Sequence, residues 1–218
     1  MTPRHPVGRR AFLGAGLAAA GLAAVGCSDD STAANDDDLG FAGTVLGIPL
    51  AKPTVVFTDT SGKPYDVGVK TAGHLSLMLF GYTSCPDVCP VHLSILASTL
   101  KHMTGPASKT TVIFVGVDTE RDTPKAIRTF LDNRDRDFVG LTAAPADIET
   151  ALKQLQLPPT VIEPKRPDGS YVVGHASQIL AFTPDNLCHI LYPFGVVEQQ
   201  WSKDLPRLET FDWPDTRR

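Results

Sequence analysis

The sequence predicts an α/β protein whose central mixed sheet is flanked by helices, and two observations support this fold class. Two apolar runs of strand length, residues 74–83 and 110–118, are each followed by a segment with helical features. Strands joined by a helix run parallel, so these two runs predict the centre of the sheet. The second observation is a pair of cysteines, Cys85 and Cys89, which lies between the first central strand and its helix.

The predicted strands and helices are, in chain order, a hairpin at 51–67, a strand at 74–83, a helix at 91–103, a strand at 110–118, a helix at 123–135, a strand at 137–143, a helix at 144–157, two strands within 177–194 and a helix at 195–211. Gly62 marks the turn of the N-terminal β-hairpin. Thr123 and Pro124 are a helix-start signal, with the threonine as N-cap. Pro206 in the last helix has no predicted role. This order and the position of the cysteines together indicate a thioredoxin-like fold with an N-terminal β-hairpin extension.

Composition limits the classes of function. The chain has 218 residues, 42% of them hydrophobic, which suits one domain of roughly 150–180 residues with appendages. Its net charge is −4, and three arginines lie among the first 26 residues, so the remainder is more acidic still. Nucleic-acid binding requires a basic face, and an acidic body therefore predicts no nucleic-acid partner.

Residues 1–27 have the pattern of an export and lipoprotein signal. A basic start with Arg9-Arg10, which resembles a twin-arginine signal, precedes an apolar stretch and a small-residue box ending at Cys27. The box resembles a lipoprotein cleavage site that leaves Cys27 as the lipidated first residue. An uncleaved membrane anchor is the alternative, although the apolar stretch is shorter than the ~20 residues of a span. Both interpretations predict an exported protein at the outer face of the cytoplasmic membrane.

Residues 28–45 predict a flexible acidic tether between this signal and the folded domain, residues 46–212. Segment 28–40, SDDSTAANDDDLG, is polar and acidic and offers little apolar surface to bury. The tether would hold the domain off the membrane.

The spacing of Cys85 and Cys89 favours a metal site. Redox thioredoxins place two residues between their cysteines, whereas this chain places three. Residues four apart on a helix have Cβ atoms ~5–6 Å apart, a disulfide requires ~3.8 Å, and a bridging metal tolerates the wider pair. The helix is expected to begin at Pro86 or Pro90, and its N-terminus lowers the pKa of a nearby thiol. A distorted turn would still permit oxidation. Soft thiolates in an exported protein favour copper(I) as readily as zinc.

A third ligand is available in His175. It precedes the strand that, in this fold, starts at the same sheet edge as the cysteines. Redox thioredoxins place a proline there, and this sequence has none between Pro167 and Pro184. Asp118 ends the second central strand at that edge, where it is predicted to orient His175 or Arg121 or to tune the thiolates. A turn-capping role is the alternative for Asp118.

The other cysteine and histidines of the domain have no predicted ligand role. Cys188 alternates with apolar residues on one strand face, which predicts a buried hydrophobic side chain. His92 and His102 are nearly three helical turns apart, too far to bind one metal together.

Three motifs resemble the Sco/SenC family of copper-binding, thioredoxin-fold assembly factors for cytochrome c oxidase. They are GYTSCPDVCP at 81–90, VGVDTERDTP at 115–124 and the downstream His175, within a resemblance over roughly residues 50–200. The resemblance implies one copper per chain, as copper(I) or copper(II), bound by Cys85, Cys89 and His175. It also implies a copper-site subunit of cytochrome c oxidase as the partner. In the absence of copper, oxidant is expected to form a Cys85–Cys89 disulfide.

The expected function is therefore that of a membrane-tethered copper chaperone rather than a conventional enzyme. One alternative is a thiol–disulfide oxidoreductase, in which Cys85 and Cys89 are the redox-active pair and reduce the cysteines of the oxidase copper site. Another is a peroxiredoxin-like peroxidase. That group requires a lone cysteine in a motif with threonine and proline, which Cys85 lacks.

Overall fold

The structure, a computed structural model, describes residues 39–213. The predicted signal with Cys27 and tether residues 28–38 lie outside the described residues. Within residues 39–213, no helix combines the length and apolar character needed to cross a membrane.

The strands are β1 (Thr44–Ala51), β2 (Val56–Asp59), β3 (Pro64–Asp66), β4 (Ser76–Gly81), β5 (Thr111–Gly116), β6 (Val139–Thr142), β7 (Val161–Ile162), β8 (Val173–Gly174), β9 (Ile179–Phe182) and β10 (Leu187–Tyr192). The helices are α1 (Val67–Lys70), α2 (Val88–His102), α3 (Pro124–Asp132), α4 (Pro145–Gln154) and α5 (Glu198–Thr210), with a 3₁₀ helix at Pro106–Lys109.

Eight of these strands form one mixed sheet in the order β1-β10-β9-β4-β5-β6-β2-β3. Strands β4, β5 and β6 are parallel, as the helices between them require, and β9 is antiparallel to β4. All six residues of β4 are buried, which explains its continuous apolar sequence. The predicted α/β, thioredoxin-like architecture is confirmed.

The register of the central strands defines the edge where the site lies. Gly81 at the end of β4 is opposite Gly116 at the end of β5, and Leu79 pairs with Ile179 at the start of β9. Segments that follow β4 and β5, and the segment that precedes β9, therefore meet at one edge. This is the edge predicted for the cysteines, Asp118 and His175.

The N-terminal hairpin is confirmed, and three strands, β1, β7 and β8, were not predicted. Strands β2 and β3 form the hairpin and extend the sheet beyond β6. Strand β1 lies at the opposite edge, where it pairs with β10 through an irregular register. Gly47 and Pro49 interrupt its apolar alternation, and such residues are tolerated in an edge strand.

The described residues that precede β1 contact the last helix. The Arg207 side chain donates hydrogen bonds to the carbonyls of Leu39 (2.6 Å) and Gly40 (2.8 Å). Phe41 stacks on Trp213 with ring centroids 5.8 Å apart. Leu39, Gly40 and Phe41 fall within the predicted tether, whose boundary at residue 45 remains a prediction. Their contacts hold the chain against α5 before it enters the sheet.

Helix α2 begins at Val88. The expected start at Pro86 or Pro90 was therefore wrong. Asp87 is the N-cap, and its carboxylate accepts a hydrogen bond from the Val88 N–H at 2.6 Å. Pro90 fits in the first turn because an N–H there would have no partner within the helix. In α3 the expected start is confirmed, since the Thr123 hydroxyl caps the Ala126 N–H at 3.2 Å.

Candidate metal centre

Three side chains with metal-binding atoms converge beyond the carboxyl end of β4. Cys85 lies in the loop after β4, Cys89 in the first turn of α2, and His175 directly after β8. The His175 Nε2 atom is 3.9 Å from the Cys85 Sγ and 3.6 Å from the Cys89 Sγ. The three ligand atoms all lie within 4.8 Å of one another. The predicted ligands are therefore together, although 90 residues separate Cys85 from His175.

The donor spacing fits a metal held in a trigonal arrangement. Thiolate and imidazole ligands lie ~2.3 and ~2.0 Å from zinc, and in a planar trigonal site such bonds place sulfur and nitrogen ~3.7 Å apart. The two observed sulfur–nitrogen distances, 3.6 and 3.9 Å, lie on either side of that value. Two soft sulfurs and one imidazole suit copper or zinc better than calcium or magnesium, which prefer oxygen.

The backbone at the end of β4 determines where the two sulfurs lie. The Cys85 N–H donates to the Tyr82 carbonyl at 3.0 Å, which closes a turn immediately after the strand. Cys89 packs so closely on Gly81 that a Cβ atom there would lie 2.5 Å from its Sγ. Only glycine at this position leaves room for the sulfur.

Hydrogen bonds orient the His175 ring so that its free nitrogen faces the sulfurs. Its Nδ1 lies 2.9 Å from the Phe80 carbonyl and 2.8 Å from the Ala176 carbonyl. Carbonyl oxygens only accept hydrogen bonds, so Nδ1 carries the proton and Nε2 presents its lone pair to the two cysteines. Tyr82 packs edge-on against the same ring, with centroids 5.5 Å apart.

The two thiols have opposite pKa shifts. A hydrogen bond from the Cys89 thiol, with a further one from the Cys89 N–H, outweighs burial and lowers the pKa of Cys85 to about 4. The same bond and burial raise the pKa of Cys89. Near neutral pH the reduced, metal-free pair therefore holds one thiolate and one thiol. Both cysteines are free thiols in this structure, and the Cys85–Cys89 disulfide remains a prediction.

Asp118 and Arg121 lie next to the centre but do not bind His175 directly. The fully buried Asp118 carboxylate accepts a hydrogen bond from the Tyr171 hydroxyl at 2.9 Å and pairs with the Arg121 Nε. The guanidinium also stacks on the Tyr171 ring, 3.6 Å from its centroid. Because Tyr171 precedes β8, this cluster anchors the segment that leads to His175. The contact of Asp118 with Arg121 is as predicted, whereas a role in metal binding stays a prediction.

Sequence reasoning assigned Asp122 no role at the site. One carboxylate oxygen accepts from the Thr83 N–H (2.9 Å) and hydroxyl (2.7 Å), and the other from the Asp118 N–H (3.1 Å). Burial raises the pKa of this carboxyl. Asp122 thus ties the cysteine loop to the end of β5. In the sequence, its position within the 115–124 motif was the one feature that indicated a role at the site.

Cys188, His92 and His102 had no predicted ligand role. Cys188 is buried, its thiol donates to the Ile190 carbonyl at 3.3 Å, and burial raises its pKa to about 12. His102 is largely exposed. His92 is buried, and its ring forms a hydrogen bond to the segment that carries His175, a contact that the sequence did not predict.

Comparison with known proteins gives concordant results. The SCO1/SenC family model matches residues 51–208. The SCO2-like protein of Rickettsia prowazekii is 30% identical over 108 residues, which cover 50% of this chain and 53% of that protein. The chain thus spans about half the length of this relative.

Solved structures include similar chains. ScoI of Bradyrhizobium japonicum with copper bound superimposes with a TM-score of 0.63 and 31% identity, over 73% of this chain and 99% of that one. BsSco, described as a member of the Sco family of cytochrome c oxidase assembly proteins and as having a disulfide switch, gives a TM-score of 0.55 and 23% identity. That match covers 77% of this chain and 99% of BsSco, and at this identity it shows the fold alone.

Proposed function

Because this chain belongs to the SCO1/SenC family, we propose that it binds one copper ion and serves in assembly of the dinuclear copper centre of cytochrome c oxidase. The observation that carries the proposal is the convergence of Cys85, Cys89 and His175 at distances suited to one metal. The similarity to a ScoI with copper bound supports copper as the metal.

The proposed donor set can hold copper in two oxidation states. Two thiolates carry two negative charges, so the site with copper(I) has a net charge of −1 and the site with copper(II) is neutral. A neutral imidazole adds no charge, and the nearby N-terminus of α2 stabilises what negative charge remains. Copper(I) can be held by two thiolates alone in a nearly linear arrangement. Copper(II) requires the additional nitrogen of His175.

Unequal burial of the three ligands gives a direction for copper transfer. Cys89 is fully buried, Cys85 is 8% exposed and His175 is half-buried. A ligand from the copper-site subunit of the oxidase would approach on the side of Cys85 and His175. These two would exchange first, while Cys89 would release the metal last.

The assembly role is tested in cells from which the gene has been deleted. Cells with the wild-type chain are expected to contain an oxidase with its dinuclear copper centre, and cells with Cys85→Ala are expected to lack it. The optical spectrum of the purified oxidase measures the centre. An oxidase with a full copper centre in Cys85→Ala cells would refute the proposal.

A thiol–disulfide exchange function is the second candidate, and the pKa of Cys85 favours it. A thiolate is the nucleophile in such exchange, and Cys85 is a thiolate near neutral pH. Cys85 would attack a disulfide of the partner, and Cys89 would then release the partner as a dithiol while the Cys85–Cys89 disulfide forms. An assay with the purified copper-binding domain of the oxidase as substrate distinguishes the two functions. Copper transfer to the reduced domain supports delivery, whereas reduction of its disulfide by the copper-free chain supports exchange.

We further propose that the chain is exported by the twin-arginine route and held at the outer face of the cytoplasmic membrane by lipid on Cys27. The small-residue box that ends at Cys27 supports this location. An anchor with two acyl chains gives stable attachment where one chain does not. Cys27→Ser should release the protein into the soluble fraction after cell fractionation. Unchanged membrane attachment would instead indicate an uncleaved anchor.

A further inference from the structure

His92 connects the two segments that carry the metal ligands. It lies on α2, three residues after Cys89, and it is only 1% exposed. Its Nε2 is 3.1 Å from the carbonyl oxygen of Ser177, which lies two residues after His175. The hydrogen bond therefore links the cysteine helix to the histidine segment without involving the metal.

The contacts of His92 define which atom donates the hydrogen bond and how the ring is oriented. The Ser177 carbonyl can only accept, so the His92 Nε2 carries the proton and donates it. The Phe194 ring packs edge-on against His92, with centroids 5.2 Å apart and an interplanar angle of 82°. Burial lowers the pKa of His92, which keeps the ring neutral. The imidazole is thus held by packing on one side and by the hydrogen bond on the other.

The segment that His92 contacts has few other backbone constraints. Residues 175–178 lie between β8 and β9 and belong to neither strand. Among residues 39–213, strand β8 pairs only with the two-residue β7. Sheet pairing therefore constrains this segment weakly, and side-chain hydrogen bonds have to position it.

We propose that His92 is a positioning residue for the copper site, whose hydrogen bond to Ser177 sets the distance between the His175 imidazole and the cysteine sulfurs. The inference rests on the proposed copper function. Loss of the bond should leave both thiolates in place and displace the imidazole. Copper(II), which needs the imidazole, should then be affected more than copper(I).

The test compares substitutions that separate the hydrogen bond from the packing. His92→Phe keeps a ring against Phe194 and removes the N–H, whereas His92→Gln keeps an amide N–H with similar reach. His102→Phe is the matched control, because His102 is on the same helix with its side chain 69% exposed. Affinities for copper(I) and copper(II) are measured by competition with chelators, together with the paramagnetic spectrum of the copper(II) form.

The expected results differ among the variants. His92→Phe should weaken copper(II) binding roughly tenfold and change the copper(II) spectrum, with a smaller loss for copper(I). His92→Gln should retain most of the wild-type affinity, and His102→Phe all of it. If His92→Phe does not fold, His92→Asn replaces it, because its amide is one methylene too short to reach Ser177.

A copper(II) affinity and spectrum of His92→Phe equal to those of the wild type would overturn the proposal. Equal losses for His92→Gln and His92→Phe would do so too. The imidazole nitrogen NMR signals of His175, recorded without metal, give a separate readout and should shift in His92→Phe but not in His102→Phe. If the wild type bound no copper, the proposed function would fail, and unshifted His175 signals would independently overturn the positioning role.

Discussion

At the residue scale, Cys85 and Cys89 are chemically unlike although they are four residues apart. The Cys89 thiol donates to the Cys85 sulfur, which lowers the pKa of Cys85 to about 4 and raises that of Cys89. A metal that binds both as thiolates has to displace the Cys89 proton. Copper binding near neutral pH should therefore release about one proton per site.

This difference predicts the pH dependence of alkylation. The thiolate is the reactive form, so the rate of Cys85 modification by iodoacetamide should rise with pH and be half-maximal near pH 4, well below the ~8.5 of an ordinary cysteine. Cys89→Ala removes the donating thiol and should move this midpoint upward. Mass spectrometry of the metal-free, reduced protein identifies the labelled residue. Preferential labelling of Cys89, or a midpoint near 8.5, would contradict the assigned hydrogen bond.

The sequence predicted the three candidate ligands but not the residues that position them. Cys85, Cys89 and His175 could be predicted because their residue types bind metals and the strand order places them at one edge. Asp122 and His92 could not, because their roles depend on contacts with Thr83 and Ser177 that appear only after folding. Carboxylates in turns and histidines on helices are common without such roles.

At the scale of elements, the site depends on the close approach of β4 and α2. Gly81 ends β4 without a side chain, and Cys89 in the first turn of α2 occupies the space that a Cβ would fill. The buried Phe114 ring on β5 closes the same space. Most of the helices and strands could be predicted from the sequence. Strand β1 could not, because Gly47 and Pro49 interrupt its apolar alternation. The two-residue β7 and β8 were too short to give a periodic pattern.

Gly81→Ala should disturb both stability and metal binding. The new Cβ would lie 2.5 Å from the Cys89 Sγ and 2.9 Å from the Phe114 ring, so strand and helix have to separate. Overpacking of this kind costs about 1–3 kcal/mol of unfolding free energy, which denaturant titration measures. Gly47→Ala is the control, because no atom lies within 4 Å of its added Cβ. Equal stability of the two variants would show that Gly81 is not required for close packing.

At the scale of the whole molecule, Asp204 joins parts of the chain that are far apart in sequence. Its carboxylate on α5 is only 1% exposed. It accepts hydrogen bonds from the Ala42 N–H at 2.7 Å and from the Tyr192 hydroxyl at 3.0 Å. The segment before β1, the end of β10 and the last helix are thereby held together. The sequence did not indicate this role, because an acid within an amphipathic helix is ordinarily on its solvated face.

Asp204→Ala should destabilise the fold. The substitution leaves the buried Tyr192 hydroxyl and the Ala42 N–H without their acceptor, at about 1–3 kcal/mol for each group that stays unpaired. Thermal unfolding followed by circular dichroism measures the effect. Asp137→Ala, at an exposed position, should change the stability by no more than ~0.5 kcal/mol. Similar unfolding temperatures for both variants would remove Asp204 from this structural role.

The central claim is that Cys85, Cys89 and His175 bind one copper ion, and copper stoichiometry with optical and paramagnetic spectra of the purified domain tests it most directly. The wild type should bind one copper, and Cys85→Ala and Cys89→Ala should lose stoichiometric binding of both oxidation states. His175→Ala should keep copper(I) better than copper(II), because two thiolates suffice for copper(I). Full binding by either cysteine variant, or an unchanged copper(II) spectrum in His175→Ala, would contradict the claim.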